Sequence, residues 1–344
     1  MKTELTVELL YKRHKLSYPQ IDSLFGTNHK ELYQKDIIEN FKIIREFIQI
    51  TDEFRRMGIR FIPLKGPLLS HRIYKDATVR RFHDLDILIS TKDIRSAYDF
   101  LLSTGYSSDI KLSEDGKDWK IVEDFEMHLT FLHPETKVCI ELHLKIFNYK
   151  QCFGLDFNTI YDHNTTDQLF MNREFRVLSV EYDLFYLIIH GSTHKWQRLK
   201  WVVDIRDYIW NIDYDMLKIN MLAQKHGALR VLPLYNSIAL AYLPDPSLFV
   251  TEVKTPSLLT KICIKYVEAE KGEFEKKNLL EIFTNLFYGK LFLLYLFPDF
   301  DNIKAIIKSS LVSIVDSKDI KTTNPFLLIL YRPFGYFYRR LKGN

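Results

Sequence analysis

The chain has 344 residues, of which 47% are hydrophobic, 27% charged and 14% aromatic, values that place it among folded globular proteins and exclude a disordered or collagen-like chain. Lys plus Arg number 48 against 44 Asp plus Glu, and a net charge of +4 is too weak to make nucleic acid the principal partner. The odd set Cys139, Cys152 and Cys263 has no CxxC spacing, so neither a disulfide framework nor a cysteine zinc site is expected, and a reducing, cytoplasmic setting is.

Met1 to Gln20 is interrupted by Lys2, Glu4, Glu8, Lys12, Arg13 and Lys15 and holds no apolar core of signal-peptide length. From Asp36 to Met57, Ile37, Ile38, Phe41, Ile44, Phe47, Ile48 and Phe54 recur at spacings of three and four, the apolar stripe of a helix that Gly58 stops. Ile59 to Leu64 reads as a short strand. Lys65-Gly66-Pro67 then turns the chain into a helix carrying Leu68, Leu69 and Ile73, with Pro67 at a first helical position where its missing N–H has no partner to lose.

Arg80 to Ser90 changes to a period of two: Leu85, Ile87 and Ile89 alternate with Asp84, Asp86 and Leu88, so a strand buries one face and sends both aspartates to the other. Ser90 and Asp93 suggest a capping box for a helix through Ile94, Ala97, Tyr98 and Leu101 that ends at Gly105. Phe125 to Leu132 and Val138 to Ile146 flank a turn at His133 to Lys137 and form a hairpin whose second strand carries Glu141. Beyond about Leu178 the pattern is helical: Tyr182–His194, Leu199–Trp210, Met216–Gly227, Leu229–Ala241, Leu258–Glu270 and Lys277–Leu296. The most apolar run, Leu291–Phe297, stops at Pro298, far short of the roughly 20 residues of a membrane span. The organisation expected is an N-terminal helical segment over 1–57, an α+β domain over 58–175 and a mainly α-helical domain over 176–344.

Asp84 and Asp86, two apart on a strand, present both carboxylates on one face, where they suit a hard dication such as Mg²⁺; Glu141 adds a third strand-borne acid. The Lys65-Gly66 turn before a helix N-terminus is a natural place to receive phosphate. His83 is expected to pack. His190 and His194 share a helix face at a zinc-compatible spacing but have no glutamate between them, so a polar face of His194, Lys195 and Arg198 toward the cleft is the preferred reading. Asp204 and Arg206 read as a salt-bridged helix face. The basic, aromatic stretch Asn324–Leu341 reads as a last helix docked on the α domain, with binding to a membrane surface or RNA bases as the alternative.

Four segments together resemble the nucleotidyltransferase superfamily, of DNA polymerase beta-like fold, and within it the uncharacterised nucleotidyltransferase family. They are Ile62-Pro63-Leu64-Lys65-Gly66-Pro67-Leu68-Leu69, Arg80 to Ile89 with Gly105-Tyr106, Ile140-Glu141-Leu142-His143, and His194-Lys195-Trp196 through Leu199-Lys200-Trp201 to Asp204. The resemblance covers about residues 59 to 210. It implies a mixed sheet with flanking helices in which Asp84, Asp86 and Glu141 are catalytic ligands of two Mg²⁺ ions, or of Mn²⁺. It also implies that Gly66 with Lys65 faces the nucleotide's phosphates; Arg80, and Lys195 and Arg198 on the polar face, are the further candidates for contact with the triphosphate or, for the last two, the acceptor. The activity implied is transfer of a nucleotide monophosphate from an NTP, such as ATP, to a hydroxyl or phosphate of a small molecule, peptide, protein or RNA. A nucleotide-binding regulatory protein without transfer and a toxin-like, tRNA-directed transferase are the alternatives. In the wider superfamily a second Gly or Ser follows the turn glycine; Pro67 stands there instead and donates no N–H.

Overall fold

The computed structural model describes residues 5–112, 118–146, 156–251, 253–254, 257–269, 279–308, 311, 314–322 and 324–342. Cys152, Glu270 and Lys277, which figure in the readings above, lie outside the described residues. The chain opens with helices α1 (Val7–Lys12) and α2 (Tyr18–Phe25), then a 3-10 turn and the long helix α3 (Tyr33–Arg56). The α+β region follows: β1 (Phe61–Pro63), α4 (Gly66–Tyr74), β2 (Asp84–Ile89), α5 (Ile94–Ser103), β3 (Ser107–Ser108), α6 (Trp119–Phe125), β4 (His128–Leu132) and β5 (Cys139–His143). After α7 (Phe157–His163) a separate hairpin forms from β6 (Thr165–Phe170) and β7 (Arg173–Leu178). The remainder is helical: α8 (Val180–Thr193), α9 (Leu199–Asn211), α10 (Met216–Lys225), α11 (Val231–Tyr242), α12 (Ser257–Val267), α13 (Leu279–Leu296), α14 (Phe300–Lys308), α15 (Ile314–Ile320) and α16 (Pro325–Lys342).

The five-stranded sheet has the order β1-β2-β5-β4-β3. β2 and β5 run parallel and the other pairs antiparallel, so the sheet is mixed. The period-two pattern of β2 is real, but both of its faces are covered. Leu85, Ile87 and Ile89 join Ile140 and Leu142 of β5, Leu129 and Phe131 of β4, and Phe47 and Phe54 of α3 in one core. Ile62 and Leu88, pointing the other way, join a second core built mainly from α8, α9 and α11 and closed by Leu10, Leu16 and Ile21. Each such side chain contributes about 1.5–3 kcal/mol on full burial, so both faces hold the sheet firmly. The consequence is that the aspartate-bearing face of β2, expected to be open, is roofed by the helical region, and Asp86 is only 4% exposed.

Three local readings change. Ser90 and Asp93 make no capping box: the Asp93 side chain caps nothing, and its N–H donates to the Ser90 carbonyl in a turn before α5. The β6–β7 hairpin was not expected; it is closed by Met171 and Asn172, both at positive φ, the backbone a tight two-residue hairpin turn requires. The last helix docks on the sheet side rather than on the helical region, because Leu328 and Ile314 are buried in the core of the sheet and α3. Arg332 and Arg339 pair with the buried Asp316 at 2.8 and 2.7 Å, and Lys318 of α15 pairs with Asp118 at the start of α6. Among the described residues no helix is long and apolar enough to cross a membrane.

Candidate functional site

The registers of three strands build the site. Parallel pairing sets Asp86 beside Glu141 and Leu88 beside His143; antiparallel pairing sets His128 opposite His143 and Thr130 opposite Glu141. Alternation then puts Asp84, Asp86, Glu141, His143 and His128 on one face, the face roofed by α8 and α9.

Lys65 enters from the end of β1. The Leu64 N–H donates to the Asp86 carbonyl at 3.0 Å, which extends the β1–β2 pairing by one residue and brings the Lys65 Nζ to 3.0 Å from Asp86 Oδ2. Gly66 follows at φ +65°, the left-handed region that suits a residue without Cβ, and opens α4. The ammonium also lies 5.8 Å from the centre of the buried Tyr186 ring on α8. Burial pulls the Lys65 pKa down, but the Asp86 carboxylate, with Tyr186 and Asp84, outweighs it and holds the amine above its ordinary range. Lys65 is a fixed cation.

The two aspartates differ sharply. For Asp86, burial opposes ionisation, yet Lys65 and the hydrogen bond from His143, 3.1 Å from Oδ1, hold its pKa well below the usual range. For Asp84, burial and the charge of Asp86 push the pKa up, only partly offset by Lys65 and Lys200. His143 Nε2 is shared between Asp86 and Glu141, 3.3 Å from Glu141 Oε2; burial disfavours its charge, but these two hydrogen bonds raise its pKa to about 9. Lys200 of α9 donates to the Arg81 carbonyl, and burial and the neighbouring Arg80 depress its pKa well below the ordinary lysine value.

The other expected phosphate-binding groups are placed differently. Arg80 is 3% exposed, with Nε donating to Asp204 Oδ2 at 2.9 Å. Lys195 Nζ sits 4.7 Å from the centre of the Tyr266 ring and 5.8 Å from that of Phe292. The Arg198 guanidinium lies 5.6 Å over Trp201. The rings of His190 and His194 are 4.7 Å apart and both pack on Trp201; burial and nearby Lys65 keep His190 neutral. Asp204 pairs with Arg80, and Arg206 with Asp207, so the expected salt-bridged face is a pair of buried ion pairs.

His128, Glu141 and His143 each offer one ligand atom, and these atoms lie within 4.8 Å of one another, a cluster able to hold a metal ion. Neither histidine was singled out in the sequence. The signal was present: His143 stands two residues after Glu141, hence on its face, and the hairpin register places His128 opposite.

Residues 15–243 match the family described as "Uncharacterised nucleotidyltransferase". That is most of the chain, and the chain belongs to this family and to the nucleotidyltransferase superfamily. No curated protein matches it.

Proposed function

We propose, from that membership and from three acids on one sheet face, that the protein is a Mg²⁺-dependent enzyme moving a nucleotide monophosphate from an NTP to an acceptor hydroxyl or phosphate. The observation that carries this is the register of Asp86 beside Glu141 with Asp84 on the same face and Lys65 at 3.0 Å. The donor set fits the ion: carboxylate oxygens are what Mg²⁺ and Mn²⁺ prefer. The ionised form of Asp84, disfavoured by burial and Asp86, is the charge a dication would balance. Asp84, Asp86 and Glu141 would hold it. Bound there, two such ions would supply charge neutralisation at the phosphate under attack and an activated acceptor oxygen.

The chain's own groups do the rest. Lys65 keeps a positive charge beside the acids, where a triphosphate competes for it. The N–H groups of Gly66, Leu68 and Leu69 open α4 at the positive end of its dipole, with Pro67 contributing none. His143, bonded to two acids at once, fixes the rotamers of Asp86 and Glu141. Arg80, engaged by Asp204, supports the β2 entry, while Arg198 and Lys195 border the roof. Among the described residues Cys139 and Cys263 are free thiols, in keeping with a reducing, cytoplasmic setting.

One observation favours a second reading, a nucleotide-binding regulator without transfer: Asp86 and Glu141 already have cationic partners in Lys65 and His143. Calorimetry with NTP and Mg²⁺, run beside transfer of an α-phosphate label into pools of small molecules, peptides, proteins and RNA, separates the two. Labelled product that disappears in Asp84→Asn supports the enzyme; binding without product in every pool supports the regulator.

A further inference from the structure

We propose that His128, Glu141 and His143 form a position for a borderline first-row dication of the Zn²⁺ class, beside and distinct from the oxygen-ligated Mg²⁺ position. It rests on the function proposed above only in sharing Glu141.

Geometry comes first. Glu141 Oε2 is 3.3 Å from His143 Nε2 and 4.0 Å from His128 Nε2. Two ligands each about 2.1 Å from one tetrahedral ion stand about 3.4 Å apart, so the Glu141–His143 separation already suits a shared ion and His128 has about half an ångström to close. The widest spacing in the cluster is at most 4.8 Å, within reach of a small side-chain rotation. Asp86 Oδ1 lies 3.1 Å from the same His143 nitrogen but outside the cluster.

Access follows from exposure. The side chains of His128 and Glu141 are 29% and 26% exposed, whereas that of His143 is 5% exposed. The position is therefore anchored on its buried side and open on the other. Among the described residues neither Nδ1 has a hydrogen-bond partner, and each ring presents Nε2 toward Glu141.

Ligand chemistry then selects the metal. Two imidazole nitrogens and one carboxylate are the set that suits Zn²⁺, Co²⁺ or Ni²⁺, whereas Mg²⁺ keeps to oxygen. Binding would displace the proton that His143 Nε2 shares with Asp86 and Glu141, and Glu141 would serve both positions, so the site would hold two unlike ions.

The test uses the full-length chain stripped of metal and titrated with Co²⁺, followed by its visible d–d absorption, with Zn²⁺ as competitor. Wild type is expected to bind one Co²⁺ that Zn²⁺ displaces and millimolar Mg²⁺ does not. His128→Asn, at a partly exposed position, is expected to weaken this on the order of 100-fold, while His194→Asn stays within about twofold. No saturable Co²⁺ band in wild type overturns the proposal. So does a His128→Asn titration like wild type, or a loss in His194→Asn as large as that in His128→Asn. Mg²⁺-NTP calorimetry on the same proteins separates the two readings: Co²⁺ bound without any Mg²⁺-NTP binding sinks the function proposed above and leaves this position standing, and the converse sinks this position alone.

Discussion

Asp84 and Asp86 are neighbours on one strand face, yet replacing each by Asn should have opposite effects on stability. Asp86 is the buried counter-charge of two cations, Lys65 at 3.0 Å and His143 at 3.1 Å. Asp86→Asn leaves both without it in a site that water scarcely reaches. Removing one partner of a buried pair costs about 3–5 kcal/mol, a change of roughly 10² to 10⁴ in the folded-to-unfolded ratio at about 1.4 kcal/mol per decade. Asp84 is the reverse: burial and the charge of Asp86 disfavour its ionised form, so Asp84→Asn removes a repulsion and should leave stability unchanged or improved. Urea unfolding of the metal-free proteins at pH 7 reads both, provided the slope against denaturant is constant so that midpoints compare stability. Both variants should lose transfer, which separates the shared role from the unshared one. An Asp86→Asn midpoint equal to wild type, or an Asp84→Asn protein destabilised as much as Asp86→Asn, would refute the assignment of Lys65 and His143 as partners of Asp86 rather than of Asp84.

His14 is 1% exposed, and burial, with the nearby Arg13, lowers its pKa from 6.5 to about 4. The unfolded chain therefore binds the proton more readily, and about 3 kcal/mol of stability, complete above pH 6.5, should be lost as the pH falls to 4; urea midpoints across that range check it, and His14→Gln should flatten the profile. Asp204→Ala strands the buried Arg80 at a cost of about 3–5 kcal/mol, much of which the double variant Arg80→Met/Asp204→Leu should restore, as read by the same unfolding assay. A Cβ at Gly191 would overlap the ring of the fully buried Trp196, so Gly191→Ala should lower stability by about 1–3 kcal/mol or more, read as a lower urea midpoint, while Gly191→Ser should do no better.

Much of this was legible because local pattern and tertiary demand coincide. The stripe from Ile37 to Phe54, the alternation through β2 and the turn at His133–Lys137 each name an element that the structure contains. Helices α8 to α13 were visible from spacing alone. The β6–β7 hairpin was not, because its turn is Met171-Asn172 rather than a glycine pair, and its outward face carries Asp167, Glu174 and Arg176 between few apolar markers. Nor could spacing show that Leu88 faces a second core, since an alternating strand looks the same whether its polar side meets water or a roof of helices.

That roof is what changes the chemistry. On an open face, Asp84 and Asp86 would both ionise near their ordinary values, repel weakly through water and be interchangeable. Under α8 and α9 each charge needs a partner, and among the described residues the cations are fewer than the three acids require: Lys65 and His143 serve Asp86 and Glu141. Lys200, the remaining cation that acts on Asp84, is itself pressed toward neutrality by burial and Arg80. Asp84 is left as the acid whose charge the protein does not balance. The helical region therefore does more than cover the sheet. By excluding water it converts an ordinary pair of strand aspartates into one settled anion and one whose ionised form is disfavoured, the acid to which we assign a cation, and loosening the roof should narrow that difference before it alters the fold of the sheet.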